Sequence, residues 1–414
     1  MSPISLLVVG AGSRGSTYAG FAEIHPDRAK VVGVAEPRAT YRQNLVDQHH
    51  VVRDHVFVDW REAAARPRLA DAVIIATQDH MHVEPAIAFA DLGYDILLEK
   101  PMAPNAEGCR QIVEAVKRNG VLLGVCHVLR YTNFTRRLKE LVAAGAIGDL
   151  VGIERLEPVG FWHMAHSFVR GNWRNEAESG PMLLTKACHD IDWIAYVMGA
   201  PCEMVSSFGT LKHFRAEEAP PGAADRCLDC AVEPSCPYSA KRIYLEVLRR
   251  GHRGWPVDVL SPNPTEASIL SALRDGPYGR CVYKCDNDVV DHQVVSMRFA
   301  GGRTATFTMM AFTKMAHRKT EIFGTQGQLT GDGRYIHHYD FLTDASITID
   351  TEADTDAVLT GHGGGDFGLM DAFVRAVAEQ DPSHILSGPD ETLASHLLVF
   401  AAEEARRTGH VVRL

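Results

Sequence analysis

The chain lacks any excess of positive charge: 42 Lys and Arg stand against 52 Asp and Glu, for a formal net charge of −10. That balance argues against nucleic acid as a partner, because phosphate binding needs clustered basic residues. No apolar run reaches membrane-spanning length, so no membrane partner is expected. The N-terminus lacks the charged-then-apolar signature of a signal peptide. Internal repeats and low-complexity tracts are missing as well. What is present is ordinary for a globular protein, with 46% hydrophobic and 23% charged residues. At 414 residues the chain exceeds one ordinary core, and two domains are expected. Nine cysteines without an export signal point to reduced thiols or metal ligands in a cytoplasmic protein.

The most informative stretch is Val8-Val9-Gly10-Ala11-Gly12-Ser13-Arg14-Gly15. A β-branched run (Ile4 to Val9) precedes it, a helical pattern follows, and Glu36 ends a second apolar run, Val31 to Ala35. This is the dinucleotide-binding pattern in its full context. Gly10 permits a tight turn, Gly12 lets backbone approach a pyrophosphate, and Gly15 lets the helix pack on the strand. Ser13 and Arg14 fall where the nucleotide would pass. Glu36 favours NAD, since a carboxylate accepts from the ribose 2′-hydroxyl and repels a 2′-phosphate. Arg38 is the counter-argument, as a cation that could meet such a phosphate.

Strand-like and helix-like stretches alternate through the first 126 residues, with apolar runs at Ile4–Val9, Val31–Ala35, Ala72–Ala76, Ile96–Leu98 and Val121–Val125. This alternation predicts a Rossmann domain over 1–128, a parallel sheet with helices on both faces. Ligands bind beyond the carboxyl ends of such strands. Thr77, Gln78, His80, His82, Glu99, Lys100 and His127 gain weight from that position, with Arg130 and Tyr131 just beyond. Residues 129–414 read as an α+β domain with an open, largely antiparallel sheet for substrate and oligomer contacts, so the class is α/β overall. A Pro- and Cys-rich insertion is expected near 215–285. One helix is predicted over about Met182 to Val197, and a last helix over 391–407 is expected to pack back on the first domain.

Two motifs carry the chemistry. In Glu99-Lys100-Pro101, Pro101 restricts its neighbour to extended geometry, so the Lys100 ammonium is aimed at the oxygen of a reacting hydroxyl. In Thr185-Lys186-Ala187-Cys188-His189-Asp190-Ile191-Asp192, helical spacing sets Thr185 and Lys186 beside His189, a general base for that hydroxyl. With the N-terminal pattern, with Thr77-Gln78-Asp79-His80-Met81-His82 and with Asn172-Trp173-Arg174, these motifs resemble the Gfo/Idh/MocA oxidoreductases nearly end to end. The resemblance implies that Lys100 and His189 are the catalytic lysine and histidine, and that Trp173 and Arg174 reach the cofactor. It also implies an aspartate four residues before the histidine, where this chain has Thr185, so Lys186 or Asp192 is expected to tune His189.

The segment Phe161 to Arg174 reads as a loop mixing aromatic platforms with cations. His163, His166, Arg170 and Arg174 are substrate candidates suited to a sugar ring with an anionic substituent. His292 and the run Gly361-His362-Gly363-Gly364-Gly365-Asp366 are further pocket candidates. The expected activity is NAD-dependent oxidation of a sugar hydroxyl by a homodimer or homotetramer. One alternative, implied by the family's glycosidase branch, is a redox-neutral glycosidase: C3 oxidation, elimination, water addition and re-reduction, on an acidic, for example sulfonated, glycoside. The other is a non-catalytic NAD(H)-sensing regulator. Separately, Cys227-x2-Cys230-x5-Cys236 followed by Cys281-x3-Cys285 is the pattern of a structural zinc site, with an iron–sulfur cluster as the alternative and the fourth ligand open between Cys281 and Cys285.

Overall fold

The computed structural model describes residues 2–352 and 362–414, so Gly361 of the glycine-rich run lies outside the described residues. The apolar runs of the first third become β1 (Ile4–Val9), β2 (Ala29–Ala35), β3 (Val56–Phe57), β4 (Ala72–Ile75), β5 (Asp95–Leu98) and β6 (Leu123–Val125). They pair in parallel in the order β3-β2-β1-β4-β5-β6. Every residue of β4, β5 and β6 is buried, as a sheet covered on both faces demands. The order reverses at β1, and the glycine turn and the ends of β4 and β5 therefore share one sheet edge.

The second sheet contains β7 (Leu150–Pro158), β8 (Cys202–Thr210), β9 (His292–Phe299), β10 (Thr304–Met310), β11 (Lys319–Gly324), β12 (Gly327–Gly331), β13 (Tyr335–Asp340), β14 (Ala345–Asp350) and β15 (Val412–Arg413). Its order is β14-β13-β12-β11-β7-β10-β9-β8-β15, antiparallel except between β7 and β10. β8 escapes the alternation rule because its pattern is inverted: Phe208 is 68% exposed, while Ser207 is buried and hydrogen-bonded to Gln293. The final helix, Pro389–Thr408, packs on β8 and on helix Cys188–Met198, and also on β6 and helix Ala106–Asn119, so it touches both sheets.

Two expectations are corrected. The single helix over Met182 to Val197 is two, Met182–Thr185 and Cys188–Met198, broken at Lys186 and Ala187 with neither Gly nor Pro at the break. The segment from Phe161 is a short helix, Phe161–His163, continued by a wider π-helical turn, Met164–Arg170, all of it buried. The insertion adds to the apolar core: Ile243, Tyr244, Leu245, Val257, Ile269 and Leu273 join the main cluster beneath the second sheet.

Candidate functional site

The glycine turn is built for close approach. Gly10 has φ +91°, and a Cβ on Gly15 would lie 1.9 Å from the Gly10 carbonyl oxygen. Ser13 opens helix Ser13–Ala19. At the end of β2, Glu36 is 2% exposed and accepts from the Ala11 N–H at 2.8 Å. Arg38 donates to it through Nε and Nη2 at 2.8 and 2.9 Å. Burial pushes the Glu36 carboxyl up, but the hydrogen bonds from Arg38 and Ala11 overcome it and hold the group ionised below its ordinary range. The guanidinium of Arg38 is thus committed to Glu36 and stacks over Tyr41, 4.0 Å from the ring centre. Arg14 turns inward, donating to Glu99 at 2.7 Å and to Tyr18 and Asp366. It ties the glycine turn to the end of β5 and to helix Gly365–Glu379.

Lys100 follows β5, joined to Pro101 by a cis peptide bond. Its ammonium donates to the Thr185 carbonyl at 2.7 Å, and its N–H to the Glu99 carboxylate at 2.8 Å. The helix break explains the first contact. A continuous helix would engage the Thr185 carbonyl with the N–H four residues on, whereas the break leaves it as an orphan acceptor. His82 donates Nδ1–H to the Pro101 carbonyl at 2.8 Å, and His396 accepts the Met102 N–H on Nε2 at 3.0 Å, so two buried imidazoles brace the turn that aims Lys100.

His189 is 6% exposed and its Nδ1 has no partner. Burial, then the charge of Lys100, pushes its pKa well below the ordinary imidazole value. It is therefore neutral at neutral pH and able to accept a proton. The His127 ring lies 5.7 Å from it, edge to face, and the His362 ring lies 6.1 Å away, tilted. His127 has a pKa lowered to about 3 by burial, and its Nδ1 stands 3.6 Å from Asp192. His362 shares its Nδ1 with Asp366 at 3.1 Å. Burial raises the Asp366 carboxyl, but hydrogen bonds from His362 and Arg14 bring it down to about 2.

A buried ion network forms the next wall. Glu157, at the end of β7, pairs with Lys186 at 3.1 Å and Arg318 at 2.5 Å. Asp190 pairs with Arg155 at 2.8 Å and Arg318 at 3.1 Å. Three cations face two carboxylates, and Lys186 and Arg318, the more open of them, both lower the pKa of His163 after burial has done so. Glu157, Arg155, Arg318 and His396 were not singled out in the sequence; Arg318 lies between His317 and Lys319 at the start of β11 and carries no motif.

Other candidates are placed elsewhere. Arg170, 1% exposed, donates to the carbonyls of Arg280 and Tyr238, inside the cysteine insertion and not into a pocket. His166 is a core histidine, hydrogen-bonded to the Tyr244 hydroxyl and stacked on Tyr278. Arg130 forms a two-pronged pair with Asp192, and Tyr131 accepts from the Leu386 and Ser387 N–H groups. Arg174 is paired two-pronged with Asp286, while Trp173 donates to Asp79 at 3.3 Å. Thr77 donates back to the Met81 carbonyl, and Gln78 is exposed. His80 faces a surface cavity of about 570 Å³ lined by Glu176, Glu178 and Glu403. His292 is held by Asp291 at 2.8 Å at the start of β9.

The insertion's cysteines are all free thiols. Cys227, Cys230, Cys236 and Cys281 line one small cavity of about 20 Å³. Among the described residues only Glu379, Asp381 and His384 set three ligand atoms within 4.8 Å of one another, so no three of the cysteine sulfurs lie that close.

Two family models match the chain: "Oxidoreductase family, NAD-binding Rossmann fold" over residues 4–127 and "Oxidoreductase family, C-terminal alpha/beta domain" over 139–414. The putative oxidoreductase YteT of Bacillus subtilis is 24% identical over 263 residues, 63% of this chain and 59% of that protein. The 2,7-anhydro-N-acetylneuraminate hydratase of Escherichia coli is 27% identical over 202 residues, 49% of this chain and 51% of that protein. The matches thus span only about half to three-fifths of these curated relatives. A structure of levoglucosan dehydrogenase with NADH and levoglucosan superposes with a TM-score of 0.72 at 19% identity, covering 100% of this chain and 99% of that one, a likeness of fold.

Proposed function

Because the chain belongs to the Gfo/Idh/MocA oxidoreductases, we propose that it oxidises a hydroxyl of a sugar or sugar derivative by hydride transfer to NAD. The observation that carries this reading is the pairing of an aimed ammonium with a neutral buried base. Lys100 is fixed by Thr185 and acts electrostatically on His189, which is neutral. His189 takes the hydroxyl proton on its neutral imidazole, and Lys100 steadies the oxygen as it becomes a carbonyl. NAD, when bound, supplies the hydride acceptor. The residues present suit it: the Gly10–Gly15 turn leaves room that side chains would fill, and Glu36 offers a fixed carboxylate for a ribose hydroxyl. The cationic surplus of Lys186 and Arg318 beside His163 fits a substrate with an anionic substituent.

A redox-neutral glycosidase is the second reading. It is favoured by the hydratase among the relatives and by a second histidine, His362, held by a carboxylate 6.1 Å from His189. A panel of sugars and aryl glycosides separates the two when reduced cofactor and aglycone are followed together. Stoichiometric reduced cofactor without aglycone establishes a dehydrogenase. Aglycone release with catalytic NAD, and deuterium from heavy water at C2 of the product, establishes the glycosidase. If neither signal arises on any sugar, the hydride reading fails. A homo-oligomer in the cytoplasm is part of the proposal. Free thiols suit a reducing compartment, and Phe208 and Val294 are cross-strand neighbours exposed on one face of the second sheet. Light scattering at working concentration checks the assembly, and a monomer would refute it.

A further inference from the structure

We propose that Cys227, Cys230, Cys236 and Cys281 bind a single zinc ion, with the Arg170 guanidinium as its buried counter-charge. The site stands apart from the hydride chemistry. Its geometry starts from an isolated antiparallel bridge between Arg226 and Arg280, reinforced by the Cys281 N–H donating to the Asp225 carbonyl at 2.8 Å. One residue beyond each bridge partner stands a cysteine; in an antiparallel bridge the two lie diagonally across it, and Cys227 and Cys281 line one cavity from chain positions more than fifty residues apart. Short 3-10 turns at Cys227–Asp229 and Glu233–Ser235 then return Cys230 and Cys236 to the same cavity. Cys285 does not take part: its thiol donates to the Cys281 carbonyl at 3.2 Å, and it does not line the cavity.

Size and charge choose the occupant. The cavity of about 20 Å³ has room for one atom-sized guest, a water needing at least about 10–15 Å³. That fits one ion better than a four-iron cluster. Four thiols that lose their protons to zinc make a centre of net charge −2, with four protons released to solvent. Such a charge is tolerated inside a protein only beside a cation. Arg170 supplies it: Nη2 points at the Cys227 sulfur at 3.4 Å, and Nη1 is buried with no partner. The other charged residues lining the cavity are already engaged, Arg226 with the Leu273 and Gly276 carbonyls and Glu233 with Ser239 and Lys241. Zn–S bonds of about 2.3 Å would draw the sulfurs closer together than they now stand. Arg170 ends the same helical segment that carries His163, so the ion would anchor that wall of the molecule from behind.

The test is the metal content of the whole protein purified without chelator. We expect about one zinc per chain and no visible absorbance. Cys281→Ser should lose the metal, and Cys285→Ser should keep it. Arg170→Gln should release zinc to a competing chelator about 10–100-fold more readily, as outer-shell changes do. Should Cys281→Ser fail to fold, alkylation of the native wild type reads the same assignment. The half-buried Cys230 and Cys236 should be spared until the metal is stripped, and cobalt added to the stripped, reduced protein should give the intense bands of a tetrahedral tetrathiolate. Iron with broad visible absorbance, reduced protein that takes up neither zinc nor cobalt, or equal metal loss in Cys285→Ser would each overturn the proposal. NAD titration should be unchanged by stripping the metal, which keeps this result separate from the hydride reading.

Discussion

Replacing Lys100 with Met removes the ammonium while keeping a side chain of similar length, and two separate costs follow. The first is catalytic. Loss of one positioned acid–base group typically slows turnover by about 10²–10⁴, or roughly 2.7–5.5 kcal/mol of transition-state stabilisation. The second is structural. The Thr185 carbonyl receives Lys100 in a residue that is 3% exposed, and an orphaned buried acceptor costs about 1–3 kcal/mol. Turnover of Lys100→Met should therefore fall by at least about a hundredfold, and its denaturant midpoint should also drop, with NAD affinity within about twofold of wild type. Lys100→Arg divides the two effects, since a guanidinium still donates to Thr185 but places its charge differently. It should recover stability and leave turnover low. The assay is steady-state formation of reduced nicotinamide on the best sugar of the panel, beside urea unfolding and NAD titration. Turnover of Lys100→Met near wild type would refute the role assigned to Lys100. A loss that tracks weakened NAD binding would place the residue in cofactor binding alone.

His189→Ala should likewise lose about 10²–10⁴ in turnover while retaining NAD, measured on the same substrate, since its neutral imidazole is the assigned proton acceptor. Titration of the wild type should show NAD bound more tightly than NADP. Glu36→Ser should weaken NAD by about 1.5–3 kcal/mol, the worth of a hydrogen bond to a charged group, and free Arg38, raising relative NADP affinity; unchanged preference would contradict the assignment of Glu36. Acid should destabilise the protein steeply below pH 6.5. Burial lowers the folded-state pKa to about 3 for His127 and His166 and about 4 for His396, so the unfolded chain binds protons that the native one does not. Each contributes stability that is fully present above pH 6.5 and is lost at about 1.4 kcal/mol per unit as pH falls towards the folded value. Unfolding free energies flat from pH 7 to 5 would disprove it.

The two-sheet architecture was legible because it depends on local signals, and so were the two residues proposed as the catalytic pair. Apolar runs of strand length, glycines forced by contacts as close as the 1.9 Å at Gly15, and a carboxylate at the end of β2 are visible without any tertiary contact. Lys100 and His189 could be chosen by place and by family motif. What the sequence could not show is how its cations are spent. Arg170 and His166 sit in one run with His163, which the mixture of aromatics and cations presents as a single substrate loop. The wider turn of Met164–Arg170 instead buries both, against the cysteine loop and Tyr244. The helix break at Lys186 has no Gly or Pro to announce it, yet it frees the carbonyl that holds Lys100. Arg318 and Glu157 meet only because β11 pairs with β7, a long-range register that no short motif encodes. Sequence alone determined which elements form and which residue types could do the chemistry. Tertiary structure decided which charges are left over for a substrate, because buried ions must find partners and those partners come from distant strands.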